Sequence, residues 1–151
     1  MKVRSPAHAN CVVCSSSNEH GLGLSFTQLP DGSVEAKFDC DKVFEGYRNI
    51  LHGGITSALL DGAMTNCMFA HDIHAVTAEL NVRFLHPVAC CHLVTIRAWI
   101  TRSTTKLHLL RAELSQKNQI MATATGKFVR IDEQPDLEST EVVTATTSKS
   151  K

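Results

Sequence analysis

Apolar and polar residues alternate with a period of two over much of the chain, and one long segment breaks that rule. From Gly21 to Gln28 the run GLGLSFTQ places Leu22, Leu24 and Phe26 on one face, which predicts a strand. Pro30-Asp31-Gly32 is a turn signal, and Val34, Ala36 and Phe38 alternate again, so the two segments predict a hairpin. After His52-Gly53-Gly54 the run to Ala70 is rich in Ala, Leu and Met and too long for an ordinary strand. It predicts a helix. Its only charged residue is Asp61, and a helix apolar nearly all round is a buried one. Beyond it the period of two returns. Val76, Ala78, Leu80, Val82 and Phe84 alternate with Thr77, Glu79, Asn81 and Arg83; Val94, Ile96, Ala98 and Ile100 repeat the pattern. Lys106–Gln116 and Ile120–Ile131 are two further β segments that meet near Lys117-Asn118.

One buried helix with about six strands cannot form a doubly wound sheet, because too few helices exist to cover both faces. Short connections favour antiparallel pairing. The expectation is an α+β domain, a long curved antiparallel sheet wrapped around one central helix. Residues 1–20 are an irregular leading segment, 21–132 the domain, and 133–151 a tail rich in Thr, Ser, Glu and Lys, expected to be disordered.

Size and charge agree with this picture. A chain of 151 residues can bury about 70% of its unfolded surface without staples. Fifteen Lys+Arg balance fifteen Asp+Glu, which argues against a strongly basic nucleic-acid binder. No apolar run reaches the ~18 residues of a membrane span, and the first residues hold no signal-like apolar core. Six cysteines are too few for a disulfide framework. A reduced, cytoplasmic protein is expected.

Asp61 is the informative residue. A charge on a buried helix costs several kcal/mol unless it is paired or faces a polar cleft. Ser57, Asp61 and Thr65 fall at i, i+4 and i+8, a polar seam without the Lys or Glu of a wetted face, and we read it as lining a cleft. The alternative is a carboxylate satisfied by backbone or hydroxyl donors. His52-Gly53-Gly54 stands at the mouth of the same helix. Its glycines allow close approach, and the first helical amides are unpaired donors able to hold a carbonyl oxygen as it gains charge. A plain loop-to-helix turn would look the same in sequence.

The stretch YRNILHGGITSALLDGAM, followed by VTAELNVRFLHPV, resembles the hotdog-fold acyl-CoA thioesterases of the PaaI-like, phenylacetate-pathway type. The opening CVVCSSSNEHGLGLSF is similar to the start of some bacterial members, so the resemblance covers roughly residues 11–131. It implies a hotdog fold, an acyl- or aryl-acyl-CoA substrate, thioester hydrolysis without metal or other cofactor, and a homodimer or homotetramer with sites shared between subunits. Position by position, it implies Asp61 as general base or nucleophile, the Gly53 amide as carbonyl-polarising donor, Thr77 as a water-positioning residue from the opposite protomer, and His52 as an orienting group. Gly54, Ser57, Thr65 and Asn49 are the substrate-binding candidates. Some relatives carry an Asn six residues before the histidine, where this chain has Gly46; Asn49 is a nearby substitute, out of register. The dehydratase branch of the same fold pairs a His with a helical acid, but the HGG arrangement is closer to thioesterases. A non-catalytic acyl-CoA sensor and a bare dimerisation scaffold are the other readings. The buried charge argues against both.

Cys11 and Cys14 have metal-ligand spacing, with His20 six residues on, but no second such pair follows. The expectation is free thiols and no metal. Cys90-Cys91 reads as a strand-edge pair. His86-Pro87 reads as a strand end, and His71 and His74 as helix-exit residues. Arg83, Arg97, Arg102, Lys106 and Arg111 read mostly as a solvated sheet face.

Overall fold

The computed structural model describes residues 1–3 and 5–131, so the expectation for 133–151 lies outside the described residues. The strands are β1 (Thr27–Gln28), β2 (Val34–Asp39), β3 (Ala75–Phe84), β4 (Leu93–Ser103), β5 (Leu107–Gln116) and β6 (Gln119–Arg130). They form one six-stranded sheet in the order β1-β2-β4-β5-β6-β3, every pairing antiparallel. The helix α1 (Gly53–Phe69) connects β2 to β3 and lies in the curve of the sheet, the arrangement that the pattern of elements predicts and the hotdog fold that the resemblance implies. Leu59, Leu60, Met64 and Met68 of α1 share a core with Ile96, Leu110, Leu114 and Phe128 of the sheet, all essentially without exposure. Lys117 and Asn118 both take left-handed backbone angles (φ 52° and 63°), the tight turn that folds β6 back on β5. Among the described residues no helix is long and apolar enough to cross a membrane.

The segment before β2, the Cys90-Cys91 pair and β3 differ from expectation. The strand expected from Gly21 to Gln28 shrinks to Thr27–Gln28. Leu24 and Phe26 are buried as the alternation predicts, but the backbone bonds elsewhere. Leu22 and Leu24 N–H groups donate to Val12 and Val13 carbonyls, and Gly23 turns into the left-handed region at φ 64°. The segment therefore clasps residues 12–13 instead of joining the sheet. Cys90 and Cys91 likewise lie before β4 in a turn, Cys91 at φ 62°, and not on a strand edge.

The third difference is in β3. Its register against β6 slips between Thr77 and Glu79, so that Thr77 faces Phe128 and Glu79 faces Lys127, with Ala78 as the extra residue of a bulge. Cross-strand partners share a face of the sheet. Thr77 therefore lies on the inner face with buried Phe128, and Glu79 on the outer face, where its carboxylate accepts from Lys127 Nζ at 2.7 Å. Val82 and Phe84 follow on the inner face opposite buried Ala124 and Ala122, while Val76 faces exposed Val129 outside. The alternation had grouped Thr77 with Glu79, Asn81 and Arg83; the bulge separates it from them.

Candidate active site

His52 caps α1. Its backbone is extended (φ −60°, ψ 133°), and its Nδ1 accepts from the Gly54 N–H at 2.8 Å. That bond makes Nδ1 the acceptor and leaves the ring N–H on Nε2. It also explains Gly54, where a Cβ would stand 2.9 Å from the His52 ring nitrogen. The Gly53 amide is the first of the helix and has no intrahelical acceptor, so it projects from the helix end at the positive pole of the dipole. The ring of Phe84 from β3 lies beside it, 3.5 Å from where a Gly53 Cβ would be. The resemblance had given His52 an orienting role, and the structure gives it a local one: it holds the turn that presents the Gly53 amide.

That amide borders a cleft of about 450 Å³ lined by Tyr47, Ile50, Leu51, Gly53, Thr56, Phe84, Leu85, His86, Pro87 and Val88. The walls are mostly apolar, with the His86 imidazole and the Tyr47 and Thr56 hydroxyls among them.

Two turns further along α1, Asp61 is half-buried and its Oδ1 accepts from Thr77 Oγ1 at 2.9 Å. Burial raises its pKa above the ordinary carboxylate value; the Thr77 hydroxyl, and to a lesser degree the field of His8, pull it back down. The Thr77–Asp61 contact is made within one chain. The expectation that Thr77 reaches Asp61 from the opposite protomer is corrected accordingly: the bulge at Ala78 turns Thr77 inward, toward its own helix.

The remaining candidates are placed less directly. Ser57 Oγ donates to the Gly53 carbonyl at 2.9 Å, one turn back on α1, which commits its proton to the helix. Thr65 is only 8% exposed, so the polar seam runs from half-open at Ser57 and Asp61 to closed at Thr65. Asn49 sits exposed in a tight turn at φ 61°; its N–H donates to Glu45 Oε2 and its carbonyl accepts from Cys90 N–H, each at 2.9 Å. It is not among the residues lining the cleft. Gly46 stands where the resemblance implies an Asn in some relatives, and a Cβ there would come within 3.1 Å of the His52 ring. A larger residue at that position would press on the cap.

Sequence reasoning missed His8. It lies near enough to Asp61 to feel its charge, and burial lowers its pKa. Its ring also packs edge-on against Phe69 with centroids 4.7 Å apart. The spacing His8…Cys11…Cys14 was the available signal.

Residues 48–122 match the family described as the thioesterase superfamily. The chain belongs to that superfamily. It is 25% identical over 127 residues to the acyl-coenzyme A thioesterase THEM4 of Bos taurus, an alignment covering 81% of this chain and 52% of that protein. The chain thus spans about half the length of the curated relatives it matches. Among solved structures, the Escherichia coli PaaI protein from the phenylacetic acid degradation operon superposes with a TM-score of 0.68 at 20% identity, covering 73% of this chain and 80% of that one. A hypothetical thioesterase from Streptococcus pneumoniae, solved with coenzyme A, has the same TM-score at 15% identity, over 72% and 85%. These likenesses show a shared hotdog fold.

Proposed function

We propose that this protein is an acyl-CoA thioesterase in which Asp61 acts as general base on water. The observation that carries the proposal is the Thr77–Asp61 hydrogen bond: a carboxylate kept on a buried helix, oriented by one hydroxyl and raised in pKa by its surroundings. A raised pKa brings a base closer to the pH at which it must work. Such a charge would be costly in a passive scaffold.

In the reaction, Asp61 takes a proton from water while the water oxygen bonds to the thioester carbon. The carbonyl π electrons move onto oxygen, where the Gly53 amide holds them. The intermediate collapses by breaking the carbon–sulfur bond, and Asp61 returns its proton to the leaving sulfur, giving free acid and coenzyme A. The cleft walled by Tyr47, Leu51, Phe84, Leu85 and Val88 is suited to an apolar or aryl acyl group. The superfamily membership and the coenzyme A bound by the Streptococcus relative support the substrate class.

The same geometry supports a site built from two protomers. Gly53 and Asp61 are eight residues apart, about 12 Å along the helix. The Gly53 N–H points out of the helix end, away from Asp61. A single thioester carbonyl must lie within hydrogen-bond reach of the amide and about 3–3.5 Å from the attacking water, and one chain does not bring both groups to it. Two antiparallel copies of α1 would set Gly53 of the partner subunit beside Asp61. Strand β3 is an open sheet edge, exposed along most of its length, with Val76, Leu80 and Phe84 uncovered. Such an edge is suited to pairing with a second copy.

The direct test follows loss of thioester absorbance across short, medium, long and phenylacyl coenzyme A substrates, with Asp61→Ala alongside. We expect hydrolysis that falls more than ~100-fold in the variant. A folded Asp61→Ala enzyme working near the wild-type rate would remove Asp61 from the mechanism.

A further inference from the structure

Three side chains outside the catalytic cleft bring ligand-type atoms together. His8, Cys11 and Cys14, all half-buried, each offer one donor atom within 4.8 Å of the others. The Cys14 Sγ and His8 Nδ1 are 3.5 Å apart. A tetrahedral zinc ion holds sulfur at about 2.3 Å and imidazole nitrogen at about 2.0–2.1 Å, which puts those two ligands about 3.6 Å from each other. The observed separation is that of two neighbouring ligands on one ion.

The local backbone builds the cluster. A turn of 3-10 helix at Pro6–His8 positions the imidazole, and the Cys11 N–H donates to the His8 carbonyl at 3.2 Å. The Ser15 N–H closes the next turn on the Cys11 carbonyl at 3.0 Å. The Val13 N–H points at Cys11 Sγ at 3.4 Å, a backbone donor suited to a sulfur carrying negative charge. The whole turn is seated on α1. Val13 is buried against Gly62, where a Cβ would come within 2.4 Å of Val13 Cγ1, so only glycine admits the segment this close to the helix.

We propose that His8, Cys11 and Cys14 form a binding site for a zinc-class divalent cation, three protein ligands with the fourth position left to water. Two thiolates and an imidazole are too soft a set for magnesium or calcium, which take oxygen ligands. Two thiolates and a neutral imidazole balance the ion's charge, and binding expels one proton from each thiol, with no change of oxidation state. The ion ties the leading segment to itself directly over the helix turn that carries Asp61, and its role is to fix that cover in place. Sequence spacing had pointed to His20 as the third group and to free thiols; the fold brings His8 there instead, from three residues before Cys11.

The full chain, purified under reductant and stripped of metal, is titrated with cobalt(II) and then with zinc against a chromophoric chelator. We expect one ion per chain, intense visible bands of tetrahedral cobalt and thiolate-to-metal charge transfer. Cys11→Ser, Cys14→Ser and His8→Ala should each weaken binding by more than the roughly 10–100-fold that loss of an outer-shell partner costs. Cys91→Ser, at an exposed thiol away from the cluster, should leave it unchanged. Zinc at about 100 times its dissociation constant should raise Tm by about 5–10 °C. Should a variant fail to fold, alkylation of the unmutated protein decides the matter: zinc must protect Cys11 and Cys14 selectively among the six cysteines. Absence of protection, binding indifferent to Cys14→Ser, or a Cys11–Cys14 disulfide in the reduced preparation would overturn the proposal.

Discussion

Burial and the hydroxyl of Thr77 act against each other on the ionisation of Asp61. Burial disfavours the charged carboxylate; the hydroxyl, donating to Oδ1, favours it. Removing the hydroxyl with Thr77→Val, which keeps the side-chain volume, should therefore raise the Asp61 pKa further. Since the proposed mechanism needs the carboxylate, activity is expected to fade as pH falls through that pKa. The acid limb of the kcat profile should accordingly sit at higher pH in Thr77→Val than in the wild type. A loss of rate that is the same at every pH would mean that Thr77 does not act on the ionisation of Asp61. Asp61 was legible from sequence because a lone charge in a run of apolar helix is costly and so informative. The Thr77 contact was legible only through the family resemblance, and then with the wrong chain assigned, because its direction depends on a bulge set by pairing with β6. No pattern within VTAELNVRF records that Ala78 has no partner.

At the scale of elements, α1 was recognisable throughout: it runs from Gly53 to Phe69 where the sequence predicts a helix from after Gly54 to Ala70, a difference of two residues at the start and one at the end. The strands after it were equally plain: β4, β5 and β6 each put one face in the core, and β3 keeps the same alternation although it is exposed along most of its length. The segment 21–26 was not, because an alternating pattern reports which side chains are buried and is silent on which backbone groups pair. Leu24 and Phe26 are in the core although their backbone groups pair with residues 13 and 3. The start of α1 makes a sharp test of the amide's role. Proline is favoured at the first helical position, and His52 already has the extended backbone that a residue before proline requires. Gly53→Pro should thus delete the one N–H in question and leave the helix standing, since the space beside Gly53 admits a Cβ at ordinary contact distance from Phe84. We expect a fall in kcat of about 100- to 1,000-fold, the cost of one oxyanion donor, with Tm little changed. An unimpaired kcat would show that another donor holds the oxygen.

For the whole molecule, the proposed mechanism needs two protomers, because Gly53 and Asp61 lie far apart along one helix, and mixing two dead variants tests it. Asp61→Ala lacks the base in every protomer, and Gly53→Pro lacks the amide in every protomer. In a mixed dimer, one of the two sites combines the intact Asp61 of one protomer with the intact Gly53 of its partner, and the other site is doubly defective. Random reassortment of equal amounts makes half of the dimers mixed, each with one good site, so activity should recover to about a quarter of wild type. The recovery should appear only after subunits exchange, which co-expression with two affinity tags or refolding from a common denatured pool ensures. If each chain carries a complete site, no mixture can exceed the residual rates of its components. Light scattering on the same samples gives the companion measurement. A monomeric wild-type enzyme with full activity would contradict the two-protomer site outright, because the open edge of β3 would then be unpaired in the working enzyme. The exposed Val76, Leu80 and Phe84 on that edge would need another explanation.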